Sequence, residues 1–273
     1  MREILSCTII MLAVGCAGAT STVAEARPEP DGPVRILAAS DVVWGHLNPA
    51  RGDRSPGAAD LWGDRKERGP SGFLARFADG FSSPPHIHNV TYRGVVIEGL
   101  VHNDDPAAES MWMPAGSFWT QPKGAAHITS ARGSATIAYV EIDDGPYLVQ
   151  PTDEATPSTE YPVNVHASNV VWHHPDDVLD GPKVAYLWGA PDDGPNGLFV
   201  AIPAGASATL RGLELRVVVI VGTAEHGGSE PVALTPGSHA GTSGALELGC
   251  SVERACVLYV RADDRVEVGG SEA

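Results

Sequence analysis

The chain repeats itself once. ASDVVWGHLNP at residues 39–49 returns at 167–177 as ASNVVWHHPDD. LWGD from Leu61 returns as LWGA from Leu187, and GPSGFLARF from Gly69 as GPNGLFVAI from Gly194. YRGVVIEG ending at Gly99 has a looser echo in ELRVVVIVG ending at Gly222. MPAGS from Met113 returns as LTPGS from Leu234, and ATIAYVEIDD from Ala135 as ACVLYVRADD from Ala255. The order is kept, and the offset stays at about 120–130 residues, the mark of an internal repeat. Such a chain is expected to fold as two copies of one unit, at residues 34–149 and 163–268. The Pro/Thr/Ser/Glu-rich QPTDEATPSTEYP at 150–162 would join them.

What each copy can fold into follows from its punctuation. Among 273 residues, 31 are Gly and 22 are Pro, and short apolar runs alternate with Gly, Pro, Asn and Asp. That is the pattern of short strands and turns, and no long stretch keeps a 3.6-residue apolar period. The expected class is all-β. A unit of this size must hide its sheet edges by closing on itself, as sandwiches and jelly rolls do. Trp44/Trp172 and Trp62/Trp188 occur in both copies, so they read as core or inter-domain packing rather than chemistry. The formal charge of −16, with no Lys/Arg cluster, excludes a nucleic-acid partner, because a polyanion would be repelled.

The first residues read as an address, not as fold. Arg2 precedes an apolar stretch from Ile4 to Val14, too short to span a bilayer and suited to export. AVGC at 13–16 resembles the lipobox of bacterial lipoproteins, which implies cleavage before Cys16 and lipidation of that cysteine. Ordinary cleavage after AEA at 24–26 is the alternative and would give a secreted protein. Residues 1–16 are thus expected to be the signal and lipobox segment, and 17–33 a flexible tether. The membrane would then be met only through a lipid anchor in the periplasm or cell envelope. Cys250 and Cys256 lie six positions apart, and an exported pair is free to oxidise to a disulfide.

The chemistry-bearing residues sit in the first copy. On a strand, residues two apart point to one side, so His86 and His88 would present two imidazoles together. Neutral imidazole suits Zn, Fe, Mn, Ni and Cu. Further on, the turn Pro122-Lys123-Gly124 delivers His127 into a strand, the third imidazole that such a site needs. Phe118, Trp119 and Gln121, just before that turn, are candidates for the pocket mouth.

These two stretches resemble the two signature motifs of the cupin superfamily. Gly80, His86, His88 and Gly99 fall on the spacing of the first motif, and Gly116, Pro122, Gly124 and His127 on that of the second. Ala131 replaces the trailing Asn of the second motif. The wording of YRGVVIEG and GSFWTQP is also similar to a group of bacterial cupin-like proteins of unestablished function. The resemblance implies two tandem jelly-roll barrels packed as a bicupin. It implies one divalent transition metal, Fe, Mn, Ni or Zn, held by His86, His88 and His127. Tyr92 stands where the family places a glutamate ligand. It can ligate, hydrogen-bond to a ligand of the metal, act as acid or base, or fill space. In the second copy the ligand positions fall on Thr209, Arg211 and Leu248, so that barrel is expected to hold no metal. By family analogy, the chain would be a metal-dependent enzyme acting on a small molecule, dioxygenase-like in reaction. A non-catalytic binding or sensing module of the cell envelope is the alternative. A homodimer is compatible with the resemblance.

Overall fold

The computed structural model describes residues 32–175, 178–227 and 231–270. The signal segment, Cys16 and all of the tether before Gly32 lie outside the described residues. The body is made of antiparallel strands with three short 3-10 turns. Seven strands form one sheet, in the order Val163–Val165, Phe118–Gln121, Tyr92–Asp104, Ile128–Ile142, Ser71–Phe77, Gly57–Trp62 and Gly45–His46. A second, nine-stranded sheet is built mostly from Lys183 onward. The result is a double jelly roll, as the repeat and the turn chemistry imply.

Each barrel borrows its edge strand from the other half. Arg35–Leu37 pairs with His239–Cys250 of the second barrel. Val163–Val165 pairs with Phe118–Gln121 of the first. Residues 34–149 and 163–268 are therefore the repeats of the sequence but not the barrels of the fold. The exchange explains the recurrence of ASxVVW and of the MPAGS/LTPGS serine. The Ala39 amide donates to Ser238 Oγ, and the Ala167 amide to Ser117 Oγ, both at 3.0 Å. Each crossing strand is thus pinned by a serine of the other half.

Strand alternation separates three apolar layers. In the first half, Phe73, Ala75, Phe77, Tyr92, Val96 and Trp119 face the barrel interior. Their neighbours Leu74, Val95, Ile97, Phe118 and Tyr139 face the other barrel, where Phe199, Val218 and Tyr259 meet them. The second interior is filled by aliphatic side chains such as Leu198, Leu210, Val217 and Leu248. Strands buried on both faces account for the continuous apolar runs.

The layer between the barrels carries the repeated tryptophans. Trp62 Nε1 donates to Tyr139 Oη at 3.0 Å, and Trp188 Nε1 to Tyr259 Oη at 2.8 Å. A methyl group on Gly72 or Gly197 would collide with the indole of Trp62 or Trp188, which is why glycine recurs there. Both tyrosines then donate to Glu141, at 3.0 and 2.8 Å. Arg261, which occupies the position of Glu141 in the second copy, lies 3.5 Å from it. Arg93 stacks over Trp188 and its counterpart Arg216 over Trp62. Cys250 and Cys256 are joined as a disulfide, Cα atoms 5.8 Å apart.

Candidate metal centre

Local pairing assembles the three histidines. His86 and His127 lie opposite each other on antiparallel backbone, exchanging both amide-to-carbonyl hydrogen bonds at 3.0 Å. His88 shares the side of His86 by strand alternation and is held by the pairing of Ile87–His88 with Val149–Gln150. The Gly124 amide donates to the His88 carbonyl at 2.9 Å, tying the Pro-Lys-Gly turn to the same site. Gly124 sits at φ 73°, in the left-handed region that glycine adopts at no steric cost.

Hydrogen bonding sets which nitrogen each ring offers. His86 Nδ1 lies 3.0 Å from the Pro84 carbonyl, His88 Nδ1 3.0 Å from the Leu148 carbonyl, and His127 Nδ1 3.2 Å from the Ala125 carbonyl. A carbonyl only accepts, so each Nδ1 carries the proton and each Nε2 keeps its lone pair. The ligating atoms of the three lie within 4.8 Å of one another. Burial lowers the pKa of all three, His88 well below its usual value and His127 to about 3, with the neighbouring imidazoles adding to the effect for these two. The rings are neutral at physiological pH, the state that binds a metal.

Two phenols border this focus. Tyr92 Oη lies 3.3 Å from His127 Nε2 and donates to Asn103 Oδ1 at 2.9 Å. Asn103 Oδ1 also accepts from Thr129, and Asn103 Nδ2 donates to Gln121 Oε1 at 3.0 Å. Gln121 in turn donates to the Ala125 carbonyl, which already holds His127 Nδ1. Tyr147 Oη lies 3.2 Å from His88 Nε2, its ring stacked on His88 at 4.4 Å. Burial raises the pKa of both phenols, so both are protonated.

A cavity of about 270 Å³ opens beside His86 and His88, walled by Phe73, Phe77, Phe81, Trp119 and Tyr147 among others. Of the residues singled out before the third histidine, Trp119 lines this cavity and Gln121 supports it through Asn103. Phe118 does neither. It points from the opposite face of its strand into the layer between the barrels. Its placement at the pocket mouth is corrected accordingly, because alternation sends it away from Trp119. Asn103, Thr129 and Tyr147 went unmarked in the sequence. Only Asn103, a polar residue closing an apolar strand, carried a local signal. In the second barrel, Leu248 is buried in aliphatic packing and Arg211 is exposed. Among the described residues, His86, His88 and His127 form the one group able to hold a metal.

The family model described as Domain of unknown function (DUF4437) matches residues 35–268. The chain belongs to this family. Solved structures of low sequence identity share the double jelly-roll fold of the DUF4437 chain. A putative dioxygenase from Nostoc punctiforme shares 13% identity, with 88% of this chain and 87% of that one covered, at a TM-score of 0.64. A variant of oxalate decarboxylase from Bacillus subtilis shares 13% over 88% and 81%, at 0.56. The vicilin of Corylus avellana, hazelnut, shares 10% over 86% and 87%, at 0.55. At these identities the likeness establishes the fold, and the site must speak for the chemistry. No curated protein matches the DUF4437 chain in sequence.

Proposed function

We propose that the chain is an exported, metal-dependent enzyme acting on a small molecule, with O2-dependent oxidation as the first reaction class to test. The observation that carries the proposal is the cluster of three neutral imidazoles whose ligating atoms lie within 4.8 Å of one another, each ring oriented by a carbonyl at its Nδ1, with His86 and His88 lining a cavity. Fe, Mn, Ni or Zn bound there would supply Lewis acidity, and the redox-active members one-electron chemistry. The chain's own residues do the rest. The aromatic wall keeps water from the reacting atoms. Tyr92 and Tyr147 hold protons within reach of the same point, placed to donate to a substrate oxygen. The reaction class rests on the fold likeness to the Nostoc protein, named as a putative dioxygenase.

A second reading is favoured by the same two phenols. With Tyr92 and Tyr147 crowding His127 and His88, five protein groups border the focus. A site saturated in this way would bind or sense rather than catalyse. Metal analysis of protein expressed with all four metals supplied tests both readings. Wild type is expected to retain near-stoichiometric metal and His86→Ala to lose it. Equal, near-zero metal in both would overturn both, and exchangeable water on the retained metal would separate them.

Export and lipidation are proposed from residues 1–16. The Cys250–Cys256 disulfide supports an oxidising compartment. Anchoring through Cys16 predicts that wild type sediments with membranes and that Cys16→Ala, expressed in the same host, does not. Membrane association that survives the substitution would rule out the lipid anchor.

A further inference from the structure

The cavity beside the histidines has one charged lining residue. Among the described residues that line it, Arg51 is the only one with a formal charge, and no Asp, Glu or Lys faces the space. Arg51 comes from the 3-10 segment Pro49–Arg54, outside the motifs that mark the site. The segment is braced. The Arg51 amide donates to the Asn48 carbonyl and the Ser55 amide to the Gly52 carbonyl, while the Asn48 amide donates to Ser55 Oγ. Arg51 has no carboxylate partner among the described residues, although its neighbour Asp53 approaches His46. Arg51 and His86 line the same cavity. Arg51 is exposed as well as part of the lining, so its unpartnered guanidinium is available to the carboxylate of an entering ligand.

The walls say what the rest of the ligand must be. Phe73, Ala75 and Phe77 stand on one face of a single strand and form a continuous apolar surface. Phe81 packs on Phe77 with ring centroids 5.3 Å apart, and Tyr147 meets Phe73 edge-on at 5.3 Å. A cavity of about 270 Å³ is larger than the roughly 150 Å³ that holds one benzene ring. It suits one ring with substituents, or two fused rings. A small dianion such as oxalate would leave the phenylalanine wall facing water and gain nothing from it. A cation would be repelled by Arg51. Three neutral imidazoles also leave a divalent metal uncompensated, so a negatively charged ligand completes the site electrostatically.

From this cavity we infer that the ligand is an aromatic monocarboxylate, its ring against Phe73, Phe77 and Phe81 and its acid group drawn to Arg51 on the side of His86. The inference names the substrate class for the proposed enzyme and rests on that reading for catalysis, but not for binding. It is tested by calorimetry on chelator-treated, metal-free protein, with benzoate, 2-naphthoate, benzamide, benzylammonium and oxalate as probes. At least one of the two carboxylates is expected to bind about tenfold or more tighter than benzamide, the gain of one charge-assisted contact. Arg51→Gln should remove that gap, and Arg54→Gln, in the same segment but off the cavity lining, should preserve it. Oxalate and benzylammonium should bind more weakly than the better carboxylate. The inference is overturned if neither carboxylate binds, if benzamide or oxalate binds as tightly, or if Arg51→Gln leaves the gap intact. Metal content measured before chelation keeps the two readings apart. Retained metal without the carboxylate preference overturns the substrate class alone. The preference without retained metal overturns the metal enzyme alone.

Discussion

Glu141→Ala is expected to destabilise the protein by about 3–5 kcal/mol, the cost of removing one partner from a buried ion pair. Glu141 is fully buried and accepts from Tyr139 and Tyr259, one hydroxyl from each barrel. Arg261, 3% exposed, lies 3.5 Å away and keeps only the half-exposed Asp143 as a carboxylate partner when Glu141 is gone. Two tyrosine hydroxyls lose their acceptor in the same step. Because these groups come from both halves, the loss should appear as weakened association of the barrels, not as local fraying. Urea denaturation of wild type and variant measures it. The double variant Glu141→Leu/Arg261→Met removes both charges and should recover most of the loss, since apolar replacement of a buried pair is often neutral. A double variant as unstable as the single one would show that packing, not the uncompensated charge, sets the cost.

Asn103→Leu is expected to weaken metal binding by about 10–100-fold without touching a histidine, the usual scale for an outer partner of a ligand. Tyr92 has one proton. It currently goes to Asn103 Oδ1, which leaves the His127 Nε2 lone pair free. With leucine at 103, His127 Nε2 at 3.3 Å is an acceptor within reach of that proton, and the metal must then compete with it. Gln121 also loses its partner on the side away from Ala125, loosening the support of His127 Nδ1. Competition titration against a chelator of known affinity reads the effect. Adding Tyr92→Phe to Asn103→Leu removes the competing proton and should restore part of the affinity. Unchanged affinity in Asn103→Leu would show that the network packs the barrel and does not tune the site. Should the double variant recover nothing, the redirected proton is not the cause.

Much of this arrangement was legible because it depends on short-range geometry. His86 and His88 share a side through the two-residue strand period. His127 follows a Pro-Lys-Gly turn whose glycine has the positive φ such turns require. The repeat showed which tryptophans are structural, and the structure adds the paired glycines and tyrosines beneath them. Phe118 and Trp119 show where alternation stops helping. Both are buried, at 1% and 2% exposure, in strands covered on both faces. Period two says that they point apart, but not which face is the inside of the barrel.

Other features depend on segments far apart in the chain. Arg51, Asn103, Thr129 and Tyr147 reach the site from separate loops and strands, and only Asn103 carries a local signal. The exchange of Arg35–Leu37 and Val163–Val165 is a matter of backbone hydrogen bonding at sheet edges, and the recurrent ASxVVW and serine that accompany it do not say which half each strand joins. The sequence by itself determined that there are two all-β units, that one has three histidines at metal-ligand spacing, and that the other has lost them. Tertiary structure alone decided which barrel lends its edge to which, where the phenols and the arginine arrive, and that one interior stays open while the other closes. Local spacing determines side-chain direction within a strand, but a cavity is made by what distant strands bring to a common point.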